Sequence, residues 1–206
     1  MNDYRTIRGT SVAEIEEKHS RFIASAAFAD TEEKALAFLE KIRSENRTAR
    51  HNVFAYCLRE GNRVRYSDDG EPAKTAGTPV LECIQHRELK DVIVVVTRYF
   101  GGILLGTGGL VRAYTASAAA ALDAAQVVTV RACVRCRVTV EYGLYERAVL
   151  LISGAGAQAE EPVFTDKVEL CFVLPAGQEQ PLIPAFRELT RGAAQLECSE
   201  PFYTPF

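Results

Sequence analysis

With 206 residues, 48% of them hydrophobic and 25% charged, the chain carries enough apolar material for one large or two small cores. A formal charge of −3 excludes a protein that is basic overall, so any contact with nucleic acid has to come from a local patch. The polar start Met1, Asn2, Asp3, Tyr4, Arg5 has no signal-peptide apolar segment and no apolar run reaches membrane-spanning length, which predicts a cytoplasmic protein without membrane contact.

Residues 4–28 read as strands broken near Gly9 and around Lys18 and His19, with Phe22 and Ile23 leading into a small-residue strand. Asp30, Thr31, Glu32 and Glu33 make a capping-box-like start to an amphipathic helix with Leu36, Leu39 and Ile42 on one face. The end of that helix and the strands after it carry Lys41, Arg43, Arg47, Arg50, Arg59, Arg63 and Arg65 against Glu40, Glu45 and Glu60. This is the one clearly basic region, and such a run is either a solvated face or a binding surface.

Residues 52–58 and 63–67 form a hairpin across Glu60, Gly61 and Asn62. The second strand runs into Ser67-Asp68-Asp69-Gly70-Glu71-Pro72, where three carboxylates lie within four residues. Asp68, Asp69 and Glu71 either cap and turn the backbone or hold a hard cation such as Mg²⁺ through oxygen. Thr78 as N-cap and Pro79 at the first helical position then open a short helix.

Residues 92–96 are an uninterrupted β-branched run that suits a central strand covered on both faces, and Thr97, Arg98, Tyr99 and Phe100 end it. Gly101, Gly102, Gly106, Gly108 and Gly109 follow, then an alanine-crowded helix over 110–125. Five glycines within nine residues mean that the backbone turns through positive φ or approaches something closely. A glycine loop between strand and helix also suits an anion received by backbone N–H groups. It is no Walker A loop, because Gly106 is followed by Thr107 and Gly108 with no lysine, and a dinucleotide fingerprint fails at Val111. The loop is therefore either an anion cradle or purely architectural. His51, Lys74, Arg98 and Arg112 are the charged candidates to complete a pocket, although Arg98 and Arg112 can equally pair with Asp68, Asp69 or Glu71.

A first domain over 1–128 and a second over 129–206 follow from the change of pattern near 126–129. The second reads as strand, helix (143–153), strand (157–165), strand (167–174), helix (181–191) and strand (194–200), the βαββαβ order of ferredoxin-like domains. RNA-recognition motifs share that order, but the outward positions here, Arg131, Cys133, Arg135, Arg137 and then Lys167, Glu169, Cys171, Val173, offer no ring for base stacking. Cysteines 57, 83, 133, 136, 171 and 198 read as reduced small hydrophobes. Cys133 and Cys136, three apart on a strand, point to opposite faces and cannot share a metal unless a bulge intervenes.

The segments Tyr66-Ser67-Asp68-Asp69-Gly70-Glu71-Pro72, Thr75-Ala76-Gly77, Val94-Val95-Val96-Thr97-Arg98-Tyr99-Phe100-Gly101-Gly102 and Gly106-Thr107-Gly108-Gly109-Leu110-Val111-Arg112-Ala113-Tyr114 closely resemble the IMPACT (YigZ-like) family. His51-Asn52 and Ser20-Arg21-Phe22-Ile23 match as well, and the resemblance covers the whole chain. It implies an α+β protein with an N-terminal ribosomal-protein-S5-domain-2-like domain. The C-terminal domain would be similar to the ferredoxin-like C-terminal domain of elongation factor G. Eukaryotic members act in translational control and carry an additional N-terminal RWD domain, so their protein-partner role is not carried over. The chain departs from the family's usual pattern at Ala73-Lys74, where Ser-Gly or Gly-Gly is usual, and at Leu104, where a lysine is usual.

Together these features predict a noncatalytic binding protein linked to translation or its regulation, recognising phosphates of RNA or of a ribosome-associated partner. Gly101, Gly102, Gly106, Thr107, Gly108 and Gly109 would form the loop that receives the phosphate, with Arg50, Lys74, Arg98 and Arg112 supplying charge. The alternative is a Mg²⁺-dependent hydrolase or transferase acting on a phosphorylated small molecule, with Asp68, Asp69 and Glu71 as ligands and His51 as general base. No nucleophile stands beside a base in the pattern, which disfavours covalent catalysis.

Overall fold

β-Branched and helix-forming stretches alternate through the first of two units, Tyr4–Val128, in the computed structural model; the second unit is Thr129–Phe206 together with Asp3. The structure describes residues 3–206. In the first unit the elements are β1 (Tyr4–Arg8), β2 (Thr10–Glu17), β3 (Ser20–Phe28), α1 (Glu32–Glu45), β4 (His51–Cys57), β5 (Val64–Ser67), α2 (Gly77–His86), β6 (Val92–Tyr99) and α3 (Gly106–Asp123). Five strands form an antiparallel sheet in the order β2-β3-β6-β4-β5.

The central position of β6 explains its unbroken apolar run. Val92, Val94 and Val96 point to the side covered by α2 and α3, in one cluster with Val80, Ile84, Tyr114 and Leu122. Ile93 and Val95 point to the other side, onto Leu39 and Ile42 of α1 and Tyr56 of β4. A strand buried on both faces needs no polar alternation, and each fully buried valine or isoleucine contributes roughly 1.5–3 kcal/mol. At α1 the expected cap forms, with Thr31 Oγ1 accepting from the Lys34 amide at 3.2 Å.

At α2 the expected cap does not form. The Ala76 and Gly77 amides donate to Asp68 Oδ1 at 3.0 and 2.8 Å, while Thr78 Oγ1 is buried without a partner. A charged acceptor delivered by the preceding turn replaces the local hydroxyl, because a carboxylate makes the stronger bond to helix N–H groups.

The second unit contains β7 (Gln126–Val140), α4 (Tyr145–Gly154), β8 (Gln158–Ala159), β9 (Val163–Phe164), β10 (Val168–Pro175), α5 (Leu182–Leu189), β11 (Glu197–Cys198) and β12 (Phe202–Pro205), with β7 beginning at the end of the first. Cys136 and Arg137 of β7 pair with β10 on one edge and β11 on the other, and β10 pairs onward with β8 and β9. Taking β8 and β9 as one strand gives the fourth-first-third-second order of a ferredoxin-like sheet, and the two units together are α+β as expected. The single strand expected over 157–165 is broken in two. Pro162 between the pieces cannot donate to the ladder.

Cys136 and Cys198 are joined by a disulfide, contrary to the expectation of reduced thiols; they face each other across the β7–β11 pairing although 62 residues apart in sequence. Cys57, Cys83 and Cys133 are free and buried, as a small hydrophobe would be. Among the described residues no helix is long and apolar enough to cross a membrane.

Candidate phosphate-binding cleft

The glycine loop does two different jobs. A Cβ on Gly101 would lie 2.0 Å from the His19 carbonyl carbon, so this glycine is needed for the close passage of the loop over the β2–β3 turn, where its amide donates to Ser20 Oγ at 3.2 Å. Gly102 and Gly106 instead turn the chain, at φ +87° and +71°. The result delivers α3 with Leu105 at its N-cap, and Leu105 has no side-chain acceptor to offer. The first-turn amides of Gly106, Thr107 and Gly108 therefore lack both intrahelical and capping partners and carry the positive end of an 18-residue helix.

Gly106 and Thr107 border an open cleft of about 430 Å³. Arg50 and His51, at the start of β4, line it, as do Arg98, Glu71, Gly106, Thr107, Phe100 and Leu104. Arg98 follows Val92, Val94 and Val96 on the α2/α3 side of β6, so its guanidinium enters the core before reaching the cleft. It lies 5.4 Å from the Phe22 ring centre and 5.7 Å from that of Phe100. Its Nη1 donates to Glu71 Oε1 at 2.6 Å, and Tyr114 Oη donates to the same oxygen at 2.8 Å. Only 8% of the Arg98 side chain and 5% of that of Glu71 are exposed, and Arg98 Nε is buried with no partner. Burial first, and then the Glu71 charge and the hydrogen bond to it, push the Tyr114 hydroxyl pKa well above its ordinary value.

His51 Nδ1 lies 2.8 Å from the backbone oxygen of Asp69. A carbonyl can only accept, so Nδ1 is the donor in this contact. The Asp69 carboxylate takes the Asn52 amide at 2.6 Å and Arg43 Nη2 at 3.2 Å. Asp68 takes the amides of Lys74, Ala76 and Gly77 at 2.9, 3.0 and 2.8 Å. The three carboxylates of the turn thus serve three separate sets of donors. No group of three or more His, Cys, Asp or Glu residues among those described is arranged to hold a metal ion.

The cleft brings together Arg50, His51, Glu71, Arg98, Gly106 and Thr107, but neither Lys74 nor Arg112 lines it. Arg112 borders a separate hollow of about 190 Å³ with Lys18 and Gly109, and Gly108 faces Arg112 Nη1. A Cβ on Gly109 would lie 2.9 Å from Leu105 Cβ, so that glycine serves the helix start. Sequence reasoning gave no role to Phe100, Leu104 or Tyr114. Tyr114 had a usable signal, since Gly106, Leu110 and Tyr114 stand at i, i+4 and i+8 and share one face of α3.

Residues 18–122 match the family model described as Impact N-terminal domain, and residues 138–193 match the one described as Domain of unknown function (DUF1949). The IMPACT family member in the pol 5′ region of Thermus thermophilus is 41% identical over 181 residues, covering 87% of this chain and 98% of that relative. The chain belongs to the IMPACT family. Two further IMPACT family members match over shorter segments: YvyE of Bacillus subtilis (strain 168), 43% identical over 129 residues, and YigZ of Escherichia coli (strain K12), 47% identical over 108. The matched segments cover 62% and 51% of this chain, and span 59% of YvyE and 52% of YigZ. A crystal structure of a hypothetical protein superimposes with a TM-score of 0.63 at 32% identity, covering 97% of this chain and 98% of that one. Every residue of the cleft falls inside the segment matched by the Impact N-terminal domain.

Proposed function

We propose that the N-terminal unit recognises phosphate groups of RNA, in a noncatalytic role linked to translation or its regulation. The observation that carries this reading is the uncapped first turn of α3, which opens on the same cleft as Arg50 and Arg98. Arg98 is compensated by Glu71, so it acts as a fixed donor, while Arg50 and the helix terminus supply the uncompensated positive field. That field is local, which is what a chain of net charge −3 requires. Binding is favoured over Mg²⁺-dependent hydrolysis because the oxygens of Asp68 and Asp69 are occupied by backbone amides and Arg43. The link to translation rests on kinship of fold with ribosomal and elongation-factor domains, which is analogy.

The test is co-sedimentation with ribosomes and with naked ribosomal RNA across a salt series. Binding that falls linearly in log salt with a slope of about −0.7 to −2.7 would count one to three neutralised phosphates, since each contributes roughly −0.7 to −0.9. Arg50→Glu should flatten that slope by about one phosphate. Absence of binding at about 50 mM salt overturns the reading.

A further inference from the structure

We infer that the cleft holds a single nucleotide unit bearing a terminal phosphate monoester, free or at the end of an RNA chain, with its base against Phe100 and Leu104. This rests on the reading that the α3 terminus receives phosphate, and goes beyond it in naming the ligand.

Four features point to a terminal nucleotide rather than to the interior of a long strand. The first is donor number. The open first turn brings Gly106 and Thr107, with their unpaired backbone amides, to the cleft. A monoester has three non-bridging oxygens to set against them, whereas an internal diester has two. The second is charge layout. The cleft holds Arg50 and Arg98 against Glu71, and neither Lys74 nor Arg112 lines it. A groove that tracks a nucleic-acid backbone needs a line of cations, and this cleft instead concentrates one net positive charge and a helix terminus at one point.

The third feature is the apolar rim. Phe100 is 45% exposed and Leu104 is 83% exposed, both on the cleft that holds the phosphate donors. The Phe100 ring centre lies 5.7 Å from the Arg98 guanidinium carbon, so the exposed part of the ring offers a base a surface beside the anion site. Leu104 extends that apolar wall. The fourth is Arg98 itself, which lines the cleft with its Nη1 held on Glu71 and 8% of its side chain exposed. A guanidinium fixed at the cleft wall offers a bound phosphate a charged donor that needs no reorganisation. The volume of about 430 Å³ is within the range of small-ligand clefts.

The experiment titrates the full chain, by calorimetry and by amide NMR shifts, with adenosine 5′-monophosphate, adenosine and inorganic phosphate. Separate arms use an RNA oligomer with a 5′-phosphate and the same oligomer with a 5′-hydroxyl. The expected result is shifts at Gly106, Thr107 and Gly108, with the nucleotide binding at least about tenfold more tightly than inorganic phosphate. Phe100→Ala should remove about that factor for the nucleotide and leave inorganic phosphate unchanged, and as a half-exposed ring its loss spares the core. If the nucleotide binds no better than inorganic phosphate, or Phe100→Ala changes nothing, the nucleotide inference falls while phosphate recognition stands. If the 5′-hydroxyl oligomer binds as well as its phosphorylated twin, preference for a terminal monoester is overturned. Tight binding of the free nucleotide without the phosphorylated oligomer supports the inference and identifies the free molecule as the source. No response to any phosphate-bearing probe overturns both readings.

Discussion

Arg98 and Glu71 form a buried ion pair, Nη1 to Oε1 at 2.6 Å, that fastens the acidic turn before α2 to the end of the central strand. With both side chains more than nine-tenths buried, neither can recover its hydration if the other is removed. Glu71→Ala should therefore cost about 3–5 kcal/mol of stability, read from denaturant midpoints. The double variant Glu71→Leu, Arg98→Met should recover more than half of that, since a buried pair is often replaceable by apolar side chains of similar volume. A double variant as unstable as the single one would show that the pair contributes more than mutual neutralisation.

Gly101→Ala is the second expectation. The new methyl group would be placed 2.0 Å from the His19 carbonyl carbon and 2.1 Å from its oxygen, and both are backbone atoms that cannot rotate away. Stability should fall by about 3 kcal/mol or more, at the upper end for overpacking. Gly143→Ala, where nothing lies within 4 Å of the added carbon, is the control and should stay within about 0.5 kcal/mol of the parent. Equal, small effects at the two positions would mean that the loop can lift off the β2–β3 turn.

Much of the scaffold was legible because local rules and tertiary context agree. The valine and isoleucine run at 92–96 needs cover on both faces, Thr31 caps α1, and the order of elements after residue 130 gives the ferredoxin-like arrangement. What was not legible depends on distances across the chain. Sequence offered Asp68, Asp69 and Glu71 as alternative partners for Arg98, and only folding assigns Asp68 to the α2 amides, Asp69 to Asn52 and Arg43, and Glu71 to Arg98. Lys74 and Arg112 were grouped with the cleft by nearness in sequence to its residues. Turn and helix geometry directs them elsewhere: Lys74 sits at φ +63° with its amide tied to Asp68, and Arg112 borders another hollow. The Cys136–Cys198 link required the register of β7 against β11, two residues long and 62 positions away, which no local pattern encodes.

The role of Asp68 gives a third expectation. Its carboxylate accepts from three backbone amides, two of them at the start of α2, so Asp68→Ala should cost about 1–2 kcal/mol as a lost helix cap. Because those oxygens are already used, millimolar Mg²⁺ should leave the melting temperature of the parent chain unchanged. A Mg²⁺-dependent rise that disappears in Asp68→Ala would revive the metal-dependent alternative.

Tyr114 contributes to the alkaline sensitivity of the first unit. Its hydroxyl donates to Glu71 Oε1 at 2.8 Å, and burial, followed by the Glu71 charge, raises its pKa in the folded chain far above the ordinary value near 10. Below pH 10 the residue is protonated in both folded and unfolded chains, and its contribution is fully present. Above that, the unfolded chain releases the proton and the folded chain keeps it, so stability falls by about 1.4 kcal/mol per pH unit until the folded-state pKa is reached. Tyr114→Phe should remove this slope, so that its denaturant midpoint declines less between pH 10 and 11 than that of the parent chain. At neutral pH the same variant should be less stable by about 1–2 kcal/mol, through loss of a hydrogen bond to a carboxylate. Parallel pH profiles for parent and variant would mean that Tyr114 ionises as readily in the folded chain as in the unfolded one, and that the Glu71 contact is open to solvent.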